Sequence, residues 1–352
     1  MPNARTRAAA LVALALALAA PLPAQPPAPT GTLVVSNMND HTATLVDAAT
    51  GRVRATLPTG EGPHEVAISR DGRLALVSNY GVRGRPGSSI TVIDVARAEV
   101  GRTLTLAGFQ RPHGMAFLPG DTMVVVTAEA AQALLIVDVR DGRVTDTLAT
   151  RGRASHMVAL TAAGDRAYTA NIADNSVSAI DLDGRDSTVV IPVGRQPEGI
   201  AVAPDGSTLW VGSNRDSVVL VVDPRRGIAT DTLRGFGLPY RIGISPDGSL
   251  AVISDPMRAE IRVVSVPDRA PRFTIAVPAD SLVATAEVPG SPSPEGVAIS
   301  RDGRWAFVTL QGRNRVVTVD LRRGAMVAWA PTCTWSDGVG FSPVVGAVRE
   351  RE

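Results

Sequence analysis

One unit of about forty residues recurs along almost the whole chain, and that periodicity restricts the fold more than any other feature. One copy runs Pro63-His64-Glu65-Val66-Ala67-Ile68-Ser69-Arg70-Asp71-Gly72, then Leu74–Asn79, then Ser89–Asp94. The same order returns from Pro112, Ser155, Pro197, Pro239 and Pro294. The residue just ahead of each first strand serves as a marker: His64, His113, His156, Glu198, Tyr240 and Glu295, at steps of 49, 43, 42, 42 and 55. A further 42 lands on Asp337, where Asp337–Pro343 repeats the opening strand alone. The strands that would complete it, Thr32–Asn37, Thr42–Asp47 and Arg52–Leu57, lie at the other end of the chain.

Each unit reads as four short strands rich in Val, Ile, Leu and Thr, separated by turn signals such as Asp71-Gly72, Asp205-Gly206 and Asp302-Gly303. No segment of helical period follows residue 30. The expectation is all-β: a seven-bladed β-propeller of four-stranded antiparallel blades over 32–343, with 344–352 as a tail. The split unit predicts that a C-terminal strand completes the N-terminal blade and closes the ring, removing open sheet edges. The middle of every first strand is small: Ala67, Ala116, Ala159, Ala201, Gly243, Ala298 and Gly340. Blades converge at the axis, where room is least.

At these positions the chain resembles the YVTN-repeat propellers, in which Pro-x-Gly-Val-Ala-Val-Ser-Pro-Asp-Gly is followed by a Tyr-Val-Thr-Asn-like strand and Val-x-Val-Ile-Asp. Here Pro197-Glu198-Gly199-Ile200-Ala201-Val202-Ala203-Pro204-Asp205-Gly206, Leu209–Asn214 and Val219–Asp223 carry the likeness. The resemblance extends over the repeat region. It implies a fold more than a function, because that superfamily contains lactonases, lyases, redox-enzyme domains and pure binding proteins.

The first thirty residues read as an address. Arg5 and Arg7 precede an apolar run from Ala8 to Ala20, then small residues and prolines, which predicts a signal peptide over 1–24 and a disordered lead-in over 25–31. The expected location is the periplasm or outside the cell, as a monomer with no membrane span in the mature chain. The 35 basic and 34 acidic residues leave a formal charge of +1, which gives nucleic acid no electrostatic footprint. Every basic residue is Arg, so Schiff-base and phosphate-loop lysines are excluded. A single Cys, Cys333, excludes an intrachain disulfide, a thiolate zinc cluster, an iron–sulfur cluster and a Cys-x-x-Cys-His haem site. No nucleotide fingerprint is present.

All seven markers are ionisable or hydrogen-bonding, and three of the four His stand on adjacent blades. The fourth, His41, falls in a loop of the same disc face, as do the insertions Gly81–Gly87 and Pro278–Ser293. Convergent titratable groups in a concavity mark sites. One expectation is therefore a divalent metal held by His64, His113 and His156, with Glu198 as fourth ligand or orienter and Glu295 or Asp337 as general base. Tyr240, Arg241, Glu65, Asn79 and Asn171 complete the expected ligand-binding set. Glu65 and Arg241 stand out because Gly or Met occupies their position in the other repeats. The resemblance supplies precedents: lactonase-like propellers that hydrolyse cyclic esters at this mouth, and lyases of similar architecture that use a His with a divalent cation there. The rival readings are a non-enzymatic module recognising a small molecule, protein, peptide or glycan, and the propeller subunit of a periplasmic redox system. The Asp residues ending third strands (Asp47, Asp94, Asp138, Asp181, Asp223 and Asp320) read as turn formers.

Overall fold

The computed structural model describes residues 28–184, 187–280 and 288–346. The leader expected at 1–24 lies outside the described residues, as does the tail from 347. Seven four-stranded antiparallel sheets are arranged as a propeller. From blade one to blade seven the innermost strands are Ser336–Ser342, Pro63–Ile68, Pro112–Phe117, Ser155–Leu160, Pro197–Val202, Ile242–Ile244 and Pro294–Ile299. Among the described residues helix is confined to short 3₁₀ turns such as Glu129–Ala131.

Burial follows position in the blade. Second and third strands lie between two neighbouring blades and are covered on both faces. Thr32–Asn37 and Ala133–Asp138 are buried at every residue, so they read as continuous apolar runs. Outer strands alternate instead, as in Val53–Pro58, because one face meets solvent. Side chains of adjacent blades interdigitate: Leu76, Ile90, Val92 and Leu104 of blade two pack with Val124, Val126, Leu135 and Val137 of blade three. Each such side chain contributes roughly 1.5–3 kcal/mol when fully buried.

The ring closes as the split repeat predicts. Ser336–Ser342 pairs with Thr32–Asn37, with Gly340 opposite Val34 and Ser342 opposite Thr32. A buried guanidinium latches this seam. Arg54 Nη1 donates to Thr32 Oγ1 at 2.7 Å and to the Val95 carbonyl at 3.2 Å, and Nη2 donates to the Ala96 carbonyl at 3.0 Å. The Thr32 hydroxyl in turn donates to the Val344 carbonyl. Four residues of the lead-in also belong to the packed body. Pro29 is buried and the Gly31 carbonyl accepts from Ala48 N–H at 3.0 Å. The expectation of disorder is therefore corrected for 28–31: apolar contact and a backbone bond offset the entropy of ordering them.

The turn reading of the third-strand Asp residues matches the bonds they make. Asp47, Asp94, Asp138, Asp181, Asp223 and Asp320 each accept backbone N–H groups two or three residues on, and in blade six Ser265 takes that place.

The small residue at the middle of each inner strand is required by the taper. A Cβ on Gly340 would lie 2.6 Å from Ile68 Cγ1 and 2.9 Å from Val66 Cγ1. Gly340→Val is expected to lower stability by about 1–3 kcal/mol through overpacking. Urea unfolding with an unchanged m-value would show it, and an unchanged midpoint would mean that the seam relaxes freely.

Candidate functional site

A β-bulge recurs in the inner strands. Pro63 pairs with Asn79 and Val66 with Val77, so His64 and Glu65 together oppose the single residue Ser78. The same slip separates Pro112 from Met115, Ser155 from Val158, Pro197 from Ile200 and Pro294 from Val297. A bulge re-aims side chains that strict alternation would send to opposite faces. This is why marker and following residue can both serve the axis. The markers thus sit within the strands in six blades, not ahead of them. In four blades a second-strand hydroxyl braces the bulge: Ser78, Thr127 and Thr309 accept the N–H of Glu65, Gly114 and Gly296 at 2.8–3.0 Å, and Ser36 donates to the carbonyls of Gly338 and His64; in blade six, whose inner strand begins at Ile242, Ser254 accepts the Arg241 N–H at 3.0 Å.

Around the axis the side chains form one connected belt. Arg241 of blade six reaches across the ring to blade two, where Nε and Nη2 both donate to Glu65 Oε1 at 3.1 and 2.6 Å. Its Nη1 donates to Glu198 Oε1 of blade five at 3.0 Å. Glu198 Oε1 also lies 2.8 Å from His156 Nε2. The other nitrogen of His156 is 3.3 Å from Glu129 Oε2, and that oxygen accepts from the Tyr80 hydroxyl at 2.9 Å. On the opposite side His64 Nδ1 forms an ion pair with Asp337 Oδ2.

Three imidazoles cluster inside this belt. The His113 ring lies 4.2 Å from His64 and 3.4 Å from His156, centroid to centroid. The Tyr80 ring meets His64 and His113 edge-on at 5.3 and 5.4 Å. His113 is fully buried, and neither of its ring nitrogens has a hydrogen-bond partner. Buried polar atoms are seldom left so, and each exception calls for a cause.

The charges explain which groups hold protons. Burial pulls the His156 pKa down, but Glu198 and Glu129 outweigh it and raise it to about 9. Burial likewise raises Glu198, yet His156 and Arg241 bring it down to about 2. His64 is raised, because the Asp337 carboxylate overcomes its desolvation. Burial and then the flanking His156 and His64 push His113 well below the usual imidazole range. Burial and the neighbouring Glu129 push the Tyr80 phenol up to about 12. His113 is thus the neutral ring of the three, beside a protonated His156.

The structure brings together His64, Glu65, His113, His156, Glu198, Arg241 and Asp337. Donor atoms of His64, Glu65 and His113 all lie within 4.8 Å of one another. Both ring nitrogens of His156, expected as a ligand, face carboxylates, and Glu198, expected as fourth ligand or orienter, pairs with His156 and Arg241. Asp337 is engaged by His64, and Glu295 accepts from Ser293 Oγ and Gln311 Nε2 of its own blade, both at 2.8 Å. Neither stands as the free base that was expected. Tyr240 is buried beneath the Arg241 guanidinium, 4.4 Å from its ring centre.

Asn79 and Asn171 are not in this cluster. Asn79 Nδ2 donates to Ser89 and Thr91, and Asn171 Nδ2 to Ser176 and Ser178. Each sits one strand out from the axis, where third-strand hydroxyls satisfy the buried amide. His41 accepts from Gly62 N–H at 3.1 Å in a turn with φ of 55°. Arg153 and Arg195 pair with Asp174 and Asp216.

Sequence reasoning missed Glu129 and Tyr80; Arg111, which the sequence places beside the ring, has its guanidinium 4.8 Å from the Tyr80 ring centre. The available signal was the Gly81–Gly87 insertion. Gly81, at φ of 92°, lies where the register slips after Asn79, and the hairpin continues with Gly81 opposite Pro86 and Val82 opposite Arg85. Tyr80 stands at that slip, facing the imidazoles. The funnel expected at this mouth is filled by side chains; a groove of about 660 Å³ lies elsewhere, lined by Pro29, Arg304, Trp305 and Asp320.

No family model matches the chain, and no curated protein matches it. Solved structures do. Hydrazine synthase of Kuenenia stuttgartiensis superposes with a TM-score of 0.67 at 17% identity, over 83% of this chain and 94% of that one. A functionally unknown protein from Desulfotomaculum acetoxidans DSM 771 gives 0.72 at 12% identity, over 89% and 99%. At these identities the likeness shows the propeller fold alone.

The His156–Glu198 pair imposes a pH window on stability. With a folded pKa near 9, His156 stabilises fully below its unfolded value and loses this as pH rises to 9. Glu198, near 2, stabilises above its unfolded value and loses this as pH falls toward 2. His113 acts oppositely, because the unfolded chain takes up a proton below the ordinary imidazole pKa that the folded ring refuses. Stability should therefore decline between pH 6.5 and 9, with His156 contributing up to about 1.4 kcal/mol per pH unit. Urea midpoints across that range should flatten in His156→Gln; an equally steep decline there would assign it to His64 instead.

Proposed function

We propose that this protein is an exported propeller that holds a divalent transition metal at its axis on His64, Glu65 and His113, leaving a coordination position for a small ligand. The single observation carrying this is His113, a wholly buried neutral imidazole with both nitrogens unpartnered beside two other donors. A neutral imidazole is the form that binds metals. The second shell fits as well: Asp337 engages His64 Nδ1, leaving Nε2 as donor, and metal-bound His commonly use a carboxylate in this way. Donors opposed across an ion at about 2.1 Å stand at most about 4.2 Å apart, so binding draws this set slightly together.

Two imidazoles and a carboxylate with open positions make a site of hydrolytic type; a bound metal there would acidify a coordinated water or polarise a carbonyl. The reaction class that suits this is lactone or ester hydrolysis, or the related elimination. Tyr80 closes the stack from above, and Asp337 keeps His64 in one tautomer. Export rests on the basic, apolar and small-residue order of 1–24. Among the described residues no helix is long and apolar enough to cross a membrane.

A second reading is favoured by the near-complete pairing of the belt. In it the charges plug the channel, and the face around it recognises a protein, peptide or glycan, alone or as a subunit of a redox assembly.

Metal content separates the two. The mature chain from Gln25, exported by its own leader and carrying no His tag, is expected to hold about one equivalent of zinc, copper, nickel, cobalt or iron. His113→Ala should remove it, because the other two donors bind weakly without the third. A wild type that stays empty after equilibration with each of these ions would overturn the metal reading and leave the plug.

A further inference from the structure

We propose that Arg241 is the positioning residue that sets metal selectivity at this site, by holding one oxygen of Glu65 so that only the other is presented to the ion. The inference rests on the metal reading above and deepens it. Two of the three nitrogens of the guanidinium, Nε and Nη2, converge on the same oxygen, Glu65 Oε1. The second oxygen, Oε2, takes part in neither bond. Arg241 has no freedom to release Oε1. It is buried, its third nitrogen is fixed on Glu198, its N–H is held by Ser254, and its plane lies on Tyr240.

The consequence follows from coordination chemistry. Calcium takes six to eight oxygens, commonly with bidentate carboxylates, and magnesium keeps an octahedron of hard oxygen donors. Zinc and its neighbours accept four ligands including imidazole, with a carboxylate bound through one oxygen. A Glu65 clamped at Oε1 therefore offers the second group of ions what they need and denies calcium its chelating carboxylate. The clamp also supplies charge: a fixed guanidinium beside the carboxylate weakens binding of ions that rely on charge alone more than binding of ions held by directed imidazole bonds. Neither effect requires Arg241 to touch the metal.

The test uses full-length exported protein and the metals alone. Wild type and Arg241→Lys are titrated with cobalt, whose visible d–d bands report imidazole and carboxylate ligation, then competed with zinc and with calcium. Lys keeps the charge and loses the fork that holds Oε1. The expected result is about tenfold or more loss of zinc affinity and a smaller zinc-to-calcium ratio in the variant. A folded Arg241→Lys protein with the wild-type ratio would overturn the inference while the metal reading stands. A wild type that binds neither cobalt nor zinc would overturn both. Should the variant fail to fold, the infrared difference spectrum of zinc-loaded minus metal-free wild type decides, with the Glu65→Gln difference subtracted. A monodentate carboxylate signature supports the clamp, and a bidentate one overturns it.

Discussion

Seven inner strands meeting around one axis leave too little space for a hydrophobic core and too little water to solvate charges. The small residues at mid-strand, such as Gly340 against Val66 and Ile68, answer the first constraint. At the end of the axis where the strands enter, the chain answers the second by mutual neutralisation. Glu65, Glu129, Glu198 and Asp337 stand against Arg241, His64 and His156. Removing either sign from such a belt strands a buried charge, which costs far more than the pair contributes. The pairing ties side chains of blades one, two, four, five and six to one another across the axis.

His113 is the one member of the belt outside this accounting. Burial and then the adjacent His156 and His64 disfavour its charged form, and neither of its nitrogens has a hydrogen-bond partner. A propeller needing only a plug could place an apolar side chain there at lower free energy. Burial and the neighbouring imidazoles that disfavour a proton on His113 leave it a neutral ring whose nitrogens have no partner.

The architecture was legible in the sequence for physical reasons that act locally. Asp-Gly turns, third-strand Asp caps and the small mid-strand residue are each dictated by geometry within one blade, so they repeat and can be read. The closing strand was legible because a half unit at one end matched the missing half at the other. The marker ring was legible too, as a position. What those markers touch was not. A bulge opposing His64 and Glu65 to one residue changes which side chains share a face, and no residue type announces it apart from the hydroxyls at Ser78, Thr127 and Thr309. Asn79 and Asn171 misled for the converse reason: a polar residue near the mouth suggested a ligand, whereas buried amides first satisfy themselves on adjacent Ser and Thr.

Arg241 and Glu65 show how a site can be built by departure from a repeat. In four blades the position after the marker is Gly, and the neighbouring blade's backbone crowds it: a Cβ on Gly338 would lie 2.4 Å from the His64 carbonyl. Blades two and six abandon that close fit and place a carboxylate and a guanidinium there, and the two meet across the axis. Symmetry among the blades is a property of the scaffold. Chemistry requires that it be broken, because identical groups facing a common axis repel one another. The units of this propeller differ most at the axis, and Glu65 and Arg241 carry the largest share of that difference.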